Sequence, residues 1–198
     1  MTGVSTMAEP GIERAYCPAC GGESPTERVA DDRQERLQCA TCGLVLEVTE
    51  ARPYEPIGDI LFADDSDLLR LAIEDMLLEK KLARSVIPTP NGQEFLTVFA
   101  RRLREGSPVD LVMLDVHMPV LDGFHAALAM RGVEKAYDLQ PPTPLMFFSS
   151  QPCDAKAKDV LRACGRAIYV NKVASPNLAE LASRVEQVLI NLITKGQH

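Results

Sequence analysis

The sequence predicts an α/β chain: a doubly wound, five-stranded parallel sheet preceded by a small cysteine-rich domain. Three observations carry that prediction. Short apolar runs, Ile60-Leu61-Phe62-Ala63, Leu111-Val112-Met113-Leu114 and Ile168-Tyr169-Val170-Asn171, are separated by helical patterns. Such runs read as strands buried on both faces, as in a parallel sheet. Each run then ends on charge, at Asp64-Asp65, Asp115 and Lys172. Strand C-termini of an open parallel sheet share one edge, where ligands bind, so three carboxylates and one ammonium are expected to converge. Crowded carboxylates repel unless a cation holds them, and oxygen ligands suit Mg²⁺. The third observation is a pair of C-x-x-C motifs near the N-terminus.

Each element follows in order. Residues 1–13 are small, polar and unpatterned, and are expected to be a disordered tail. Tyr16 to Glu50 is the cysteine segment. Residues 51–56, with Pro53 and Pro56, read as a short stiff linker. The first strand ends at Asp64; Ser66 then caps a helix with Leu69, Ile73 and Met76 on one face. A weaker strand lies near Ser85-Val86-Ile87. Asn91-Gly92 opens a helix with Phe95, Phe99 and Leu103 at i, i+4, i+8. The third strand is Val109 to Asp115, and a loop from Val116 to Asp122 leads into a helix from Gly123 to about Tyr137. Pro141-Pro142-Thr143-Pro144 breaks the chain before the fourth strand, Leu145 to Phe148, which ends at Ser149. A helix runs from about Asp154 to Ala163 and stops at Gly165. The fifth strand is Ala167 to Asn171. Ser175-Pro176 starts the last helix, with Leu178, Leu181, Val185, Val188, Leu189 and Leu192 on one face. Five strands alternating with five helices imply the doubly wound fold.

Composition narrows the function. Residues 1–50 hold four Lys/Arg against nine Asp/Glu, giving −5, and the remainder holds 17 against 19, giving −2. Neither part offers the basic surface that phosphate-backbone binding needs, which favours protein partners over nucleic acid. No apolar stretch approaches ~20 residues, so no membrane span is expected. The first residues lack a secretory layout, so no secretory signal is expected and a cytoplasmic location is. Cys153 and Cys164 stand apart from the motifs and read as small hydrophobes.

Residues 57–198 resemble a response-regulator receiver domain of two-component signalling, of the chemotaxis-regulator-like, flavodoxin-like kind. Asp64-Asp65 matches the family's metal-binding pair. Asp115-Val116-His117-Met118-Pro119-Val120-Leu121-Asp122-Gly123 matches its D-x-x-M-P-x-x-D-G run. Ser149 matches the switch hydroxyl, Tyr169 the aromatic switch and Lys172 the lysine three residues later. The resemblance implies that a histidine kinase or phosphotransfer protein phosphorylates Asp115. Mg²⁺ would be held by Asp64, Asp65, Asp115 and the main-chain carbonyl of His117. Lys172 would pair with phosphoryl oxygens, or with Asp115 before phosphorylation. Ser149 would bond the phosphoryl group, move the following loop and let Tyr169 turn inward. The His117 and Gln151 side chains stand where this family tunes phosphate lifetime. Three departures are Val173, where proline is usual, Ser150, where Ala or Gly is commoner, and a longer stretch from Asp138 to Thr143. His125 reads as a surface residue of its helix.

Cys17-Pro18-Ala19-Cys20-Gly21 and Cys39-Ala40-Thr41-Cys42-Gly43 enclose 18 residues. This spacing fits a tetrahedral zinc site with all four ligands from the protein, and rubredoxin-type iron is the alternative. Glycine after each second cysteine suits a tight knuckle. Leu44 to Val48 alternates and reads as a strand leaving the second knuckle. Residues 14–50 resemble a zinc ribbon, stabilised by its metal because so small a segment lacks a core. Asp31-Asp32 and Glu35 alternate with Arg33 and Arg36 as a solvated mixed face.

The leading expectation is a switch without enzymatic output, beyond promoting its own phosphorylation and dephosphorylation. No further output domain is expected after the last helix, so output would pass through the family's helix-four, strand-five and helix-five face, through the ribbon, or both. Receivers also dimerise through that face. The alternative is a transcription-associated protein whose ribbon touches polymerase or nucleic acid. A phosphatase with an aspartyl nucleophile is disfavoured, because His117 stands where haloacid-dehalogenase-type enzymes carry a second Asp.

Overall fold

A computed structural model of the chain describes residues 13–30, 35–46, 55–172 and 177–195. The expected N-terminal tail up to residue 12, most of the linker, the Asp31-Asp32-Arg33 face, Val173 and the Ser175-Pro176 helix start lie outside the described residues.

Near the N-terminus, β1 (Arg14–Cys17), β2 (Gly22–Ala30) and β3 (Glu35–Cys39) form an antiparallel sheet in the order β1-β2-β3. Cys17 pairs with Gly22 and Thr26 with Cys39, so the strands begin and end at the cysteines. The strand expected from Leu44 to Val48 does not form within the described residues. Val45 forms an isolated bridge with Gln38, flanked by hydrogen bonds from Cys39 N–H to the Leu44 carbonyl and from Leu46 N–H to the Leu37 carbonyl, both at 2.8 Å. Leu44 and Val45 are both buried as the chain turns back over β3, so these apolar residues mark burial rather than the alternation of a strand. The true strands are polar (GESPTERVA and ERLQC), and their pairing is set by the turns at the cysteines rather than by an apolar face.

The remaining elements alternate as expected. They are β4 (Ile57–Ala63), α1 (Asp67–Glu79), β5 (Ala83–Thr89), α2 (Gly92–Arg104), β6 (Leu111–Asp115), α3 (Gly123–Ala136), β7 (Leu145–Ser149), α4 (Ala155–Cys164), β8 (Ala167–Asn171) and α5 (Leu178–Lys195). The five strands are parallel in the order β5-β4-β6-β7-β8. β6 and β7 are buried along their whole length, which explains their unbroken apolar runs. The chain crosses from β4 out to β5, then returns to β6 on the other side of β4. The carboxyl ends of β4 and β6 therefore flank the point where strand order reverses, and Asp64 and Asp115 sit there.

Side-chain caps start the helices. Ser66 Oγ accepts from Leu69 N–H, Asn91 Oδ1 from Glu94 N–H, Asp122 Oδ1 from His125 N–H and Asp154 Oδ1 from Ala157 N–H. Phe95 stacks on Phe99, and Phe124 meets Phe147 edge-on at 5.2 Å between ring centres. The longer segment before β7 is anchored by charge. Arg131 donates to the Thr143 carbonyl at 2.8 Å and pairs with Glu134, whose other oxygen takes Thr143 N–H. His125 is exposed, with Nδ1 2.7 Å from the Asp122 carboxylate, as a helix-surface residue should be.

Gly123 lets α3 approach the end of β6. A Cβ there would lie 2.0 Å from the Asp115 carbonyl oxygen, whereas one on Gly132 of the same helix would meet nothing within 4 Å. Gly132→Ala should therefore stabilise the protein by about 1 kcal/mol through helix propensity. Gly123→Ala should destabilise it by about 1–3 kcal/mol, because the backbone of Asp115 must yield. Denaturant unfolding of the two variants checks the opposite signs.

Candidate functional site

The sheet edge assembles the acidic residues and the lysine. Asp64 follows β4 directly and is fully buried; Asp115 ends β6 and is 4% exposed. Asp65, next along, is exposed at the rim. One carboxylate oxygen from each of Asp64, Asp65 and Asp115 lies within 4.8 Å of the others. Lys172, immediately after β8, reaches back across the edge. Its Nζ lies 2.6 Å from Asp64 Oδ2 and 3.0 Å from Asp115 Oδ1, and 5.0 Å from the centre of the Phe148 ring. Burial pushes the Asp115 carboxyl above its usual range, opposed by the charge and hydrogen bond of Lys172.

The chain on either side is held in place. Lys172 N–H donates to the Ser149 carbonyl at 2.7 Å, so the lysine leaves the sheet at a fixed point. Asp64 Oδ1 accepts from Ser66 N–H, and Arg70 donates to the Asp64 carbonyl. The His117 side chain is exposed. In the loop after β6, Val120 has φ +69° and Leu121 N–H bonds the Pro119 carbonyl two residues back. A β-branched residue in this region costs about 1–3 kcal/mol and persists only where its surroundings impose it.

Ser149 is fully buried at the end of β7, and its Oγ accepts from Gln151 N–H at 3.1 Å. Tyr169 is 2% exposed and donates its hydroxyl to the Gln151 carbonyl at 2.9 Å. The expectation tied the inward turn of Tyr169 to phosphorylation; here the ring is already inward, because the Gln151 carbonyl gives its hydroxyl a partner. Burial raises the Tyr169 pKa above its ordinary value. Beside the acidic cluster, a cavity of about 330 Å³ is lined by His117, Asp122, Phe124, Gln151, Lys156 and Tyr169.

The four motif cysteines form a second centre. Cys17 Sγ lies 3.5 Å from Cys42 Sγ, and Cys20 Sγ 3.8 Å from Cys39 Sγ. Tetrahedral zinc with bonds of about 2.3 Å requires sulfur separations of about 3.8 Å, so the donor set fits that ion. Gly21 N–H bonds the Cys17 carbonyl and Gly43 N–H the Cys39 carbonyl, both at 2.8 Å, with φ of +75° and +80° at the glycines. The two knuckles thus share one geometry. Mutual hydrogen bonding within the cluster holds the Cys20 and Cys39 thiols below their ordinary range and the Cys17 and Cys42 thiols above it. Cys153, in the loop before α4, is a free thiol pushed up to about 11 by burial.

One buried side chain outside the expected site residues reaches the first knuckle. Arg184 of α5, 2% exposed, donates to the carbonyls of Pro18 and Ala19 in the first knuckle. Its signal was a cation set among Leu181, Val185 and Val188 on the apolar stripe of the helix.

Comparison with known proteins agrees with this geometry. Residues 60–186 match the response regulator receiver domain, and residues 15–46 match a Nudix N-terminal zinc ribbon. A protein-glutamate methylesterase/protein-glutamine glutaminase of Hahella chejuensis is 31% identical over 142 residues, covering 69% of this chain and 37% of that protein. The chain therefore spans little more than a third of that relative. The receiver domain of the histidine kinase CKI1 from Arabidopsis thaliana, in complex with Mg²⁺ and BeF₃⁻, superimposes with TM-score 0.52 and 25% identity, covering 66% of this chain and 88% of that one. The response regulator domain of Thermotoga maritima CheB shares the fold, with TM-score 0.51 and 20% identity over 67% of this chain and 93% of that one. No helix among the described residues is long and apolar enough to cross a membrane. The chain belongs to the response regulator receiver domain family of two-component signalling and carries a zinc ribbon ahead of that domain.

Proposed function

We propose that this protein is a response regulator phosphorylated on Asp115 by a histidine kinase or phosphotransfer protein. The observation that carries the reading is the Lys172 ammonium bridging Asp64 and Asp115, with Asp65 at the rim. An oxygen of Asp115 attacks the donor phosphorus; the new P–O bond forms as the donor's P–N bond breaks, and the imidazole leaves. Positioning and charge neutralisation dominate such transfers. Asp64, Asp65, Asp115 and the His117 carbonyl would hold Mg²⁺, which when bound offsets the charge of the incoming group. Lys172 pairs with the phosphoryl oxygens, and Ser149 donates its hydroxyl to them. The acyl phosphate then biases the Ser149–Gln151 loop and Tyr169, which share the Gln151 backbone.

Zinc held by Cys17, Cys20, Cys39 and Cys42 maintains the ribbon. The chain acts in the cytoplasm, and its output is protein contact through the α4, β8 and α5 face, through the ribbon, or both. Its own catalysis is confined to gaining and losing the phosphoryl group. The methylesterase activity named for the Hahella relative belongs to a protein of which this chain spans 37%.

Three outcomes test the reading. Asp115→Asn should abolish labelling by acetyl phosphate with Mg²⁺, read by intact-protein mass; undiminished labelling would move the phosphoacceptor elsewhere. Removal of divalent ions should have a signed effect on stability. Burial raises the Asp115 pKa, so the folded state favours the protonated carboxyl. Stability is then lost as pH rises above the ordinary carboxylate range near ~4. In chelator at neutral pH, Asp115→Asn should melt no lower than wild type. Added Mg²⁺ should raise the wild-type Tm by about 2–4 °C per kcal/mol of binding while leaving the variant unmoved. Finally, Cys39→Ser should lower bound zinc from about one equivalent per chain to a small fraction of that, measured by elemental analysis.

A further inference from the structure

Pro18 and Ala19 are the two residues between the metal-ligand candidates Cys17 and Cys20, and both are gripped by the receiver. Arg184 Nε donates to Pro18 O at 2.9 Å and Nη2 to Ala19 O at 2.7 Å. The same guanidinium gives Nη1 to Asn171 O at 2.8 Å, and Asn171 N–H donates to Ala19 O at 3.0 Å. Ala19 is fully buried. β8 is the edge strand of the five-stranded sheet, so the knuckle covers backbone groups that an edge would otherwise expose. Asn171 directly precedes Lys172, whose own N–H is fixed to the Ser149 carbonyl. One buried arginine thus joins the cysteine knuckle to the strand end that presents the lysine of the acidic pocket.

We propose that Arg184 is a positioning residue that grips the first cysteine knuckle and, through Asn171, sets the placement of Lys172, so that metal occupancy of the ribbon governs phosphoryl transfer at Asp115. This rests on the reading of Asp115 as phosphoacceptor. The carbonyls Arg184 holds are aimed by the knuckle, and the knuckle takes its shape from its cysteines. Charge acts in the same direction. Zinc with four thiolates sums to about −2, and a buried guanidinium beside it offsets that charge. Burial presses the Arg184 pKa below its ordinary value, and the neighbouring Cys20 and Cys17 oppose the shift. Loss of zinc removes both the aimed carbonyls and the negative centre, and the end of β8 loses its anchor. Binding is reciprocal: a ligand of the acidic pocket that zinc makes bind more tightly tightens zinc binding by the same factor.

The test uses the full chain as the zinc-loaded protein. Hydrogen exchange is followed by mass spectrometry in peptides covering residues 167–172, with residues 111–115 of β6 as an internal control, before and after zinc removal. Acetyl phosphate labelling is timed in parallel. Exchange at 167–172 should rise about tenfold or more on zinc removal while β6 stays protected, and labelling should slow several-fold. Arg184→Ala should weaken zinc about tenfold or more against a chromogenic chelator, and Arg184→Lys, which keeps the charge without the fork, should recover only part. Beryllofluoride with Mg²⁺ should tighten zinc in wild type and not in Arg184→Ala. Unchanged exchange at 167–172 after zinc removal overturns the proposal without any variant. Raised exchange with an unchanged labelling rate overturns the positioning of Lys172. Exchange and zinc affinity are read without a phosphodonor; a zinc-loaded wild type that is never labelled overturns the reading of Asp115, and the positioning role with it.

Discussion

The Lys172 ammonium between Asp64 and Asp115 is the interaction on which the rest of the structure depends. Two buried carboxylates at this separation are costly in a medium of low dielectric constant unless a cation lies between them. The cation comes from the far edge of the sheet, 108 residues along the chain from Asp64. Only a fold that brings three strand ends to one edge satisfies that requirement. The parallel order β5-β4-β6-β7-β8 does so, with buried apolar strands behind the pocket. An ion pair built this way is weak evidence of stability and stronger evidence of a site, because apolar residues of similar size would fold as well.

The β8 side of the sheet carries the second centre. The ribbon has little apolar surface of its own, and its polar strands pair because the cysteine turns align them. Its buried residues Cys17, Ala19, Cys39 and Leu44 are continuous with the receiver core. Metal, knuckle and sheet edge therefore form one packed unit, with Arg184 supplying the polar bonds that an apolar seam would lack. A ribbon seated on β8 and α5 also occupies part of the face through which the proposed output passes. A partner of that face meets the ribbon and the receiver together.

How much was legible in the sequence depended on the kind of force involved. The runs ending at Asp64, Asp115 and Lys172 were readable because buried parallel strands need continuous apolar residues and because charge at their ends has few other reasons to be there. The four cysteines were readable because tetrahedral coordination imposes spacing. The ribbon strands were not readable, since metal geometry rather than alternation creates them, and Leu44-Val45 mimicked a strand for the sake of burial. The inward pose of Tyr169 was also out of reach, because it depends on a backbone carbonyl, that of Gln151, whose direction no residue type encodes. Arg184 left only a charge on an apolar stripe, and two of the carbonyls it binds belong to a segment more than 160 residues away.

The most direct test of the acidic edge as a divalent-ion and phosphoryl site is a crystal structure of the full chain grown with Mn²⁺ and beryllofluoride, with anomalous data collected at the manganese and zinc edges. Manganese density is expected among Asp64, Asp65 and Asp115, beryllofluoride on a carboxylate oxygen of Asp115 with Lys172 against its fluorines, and zinc density among the four cysteines. An acidic edge free of manganese, with Lys172 still locked to Asp64 and Asp115, would contradict it.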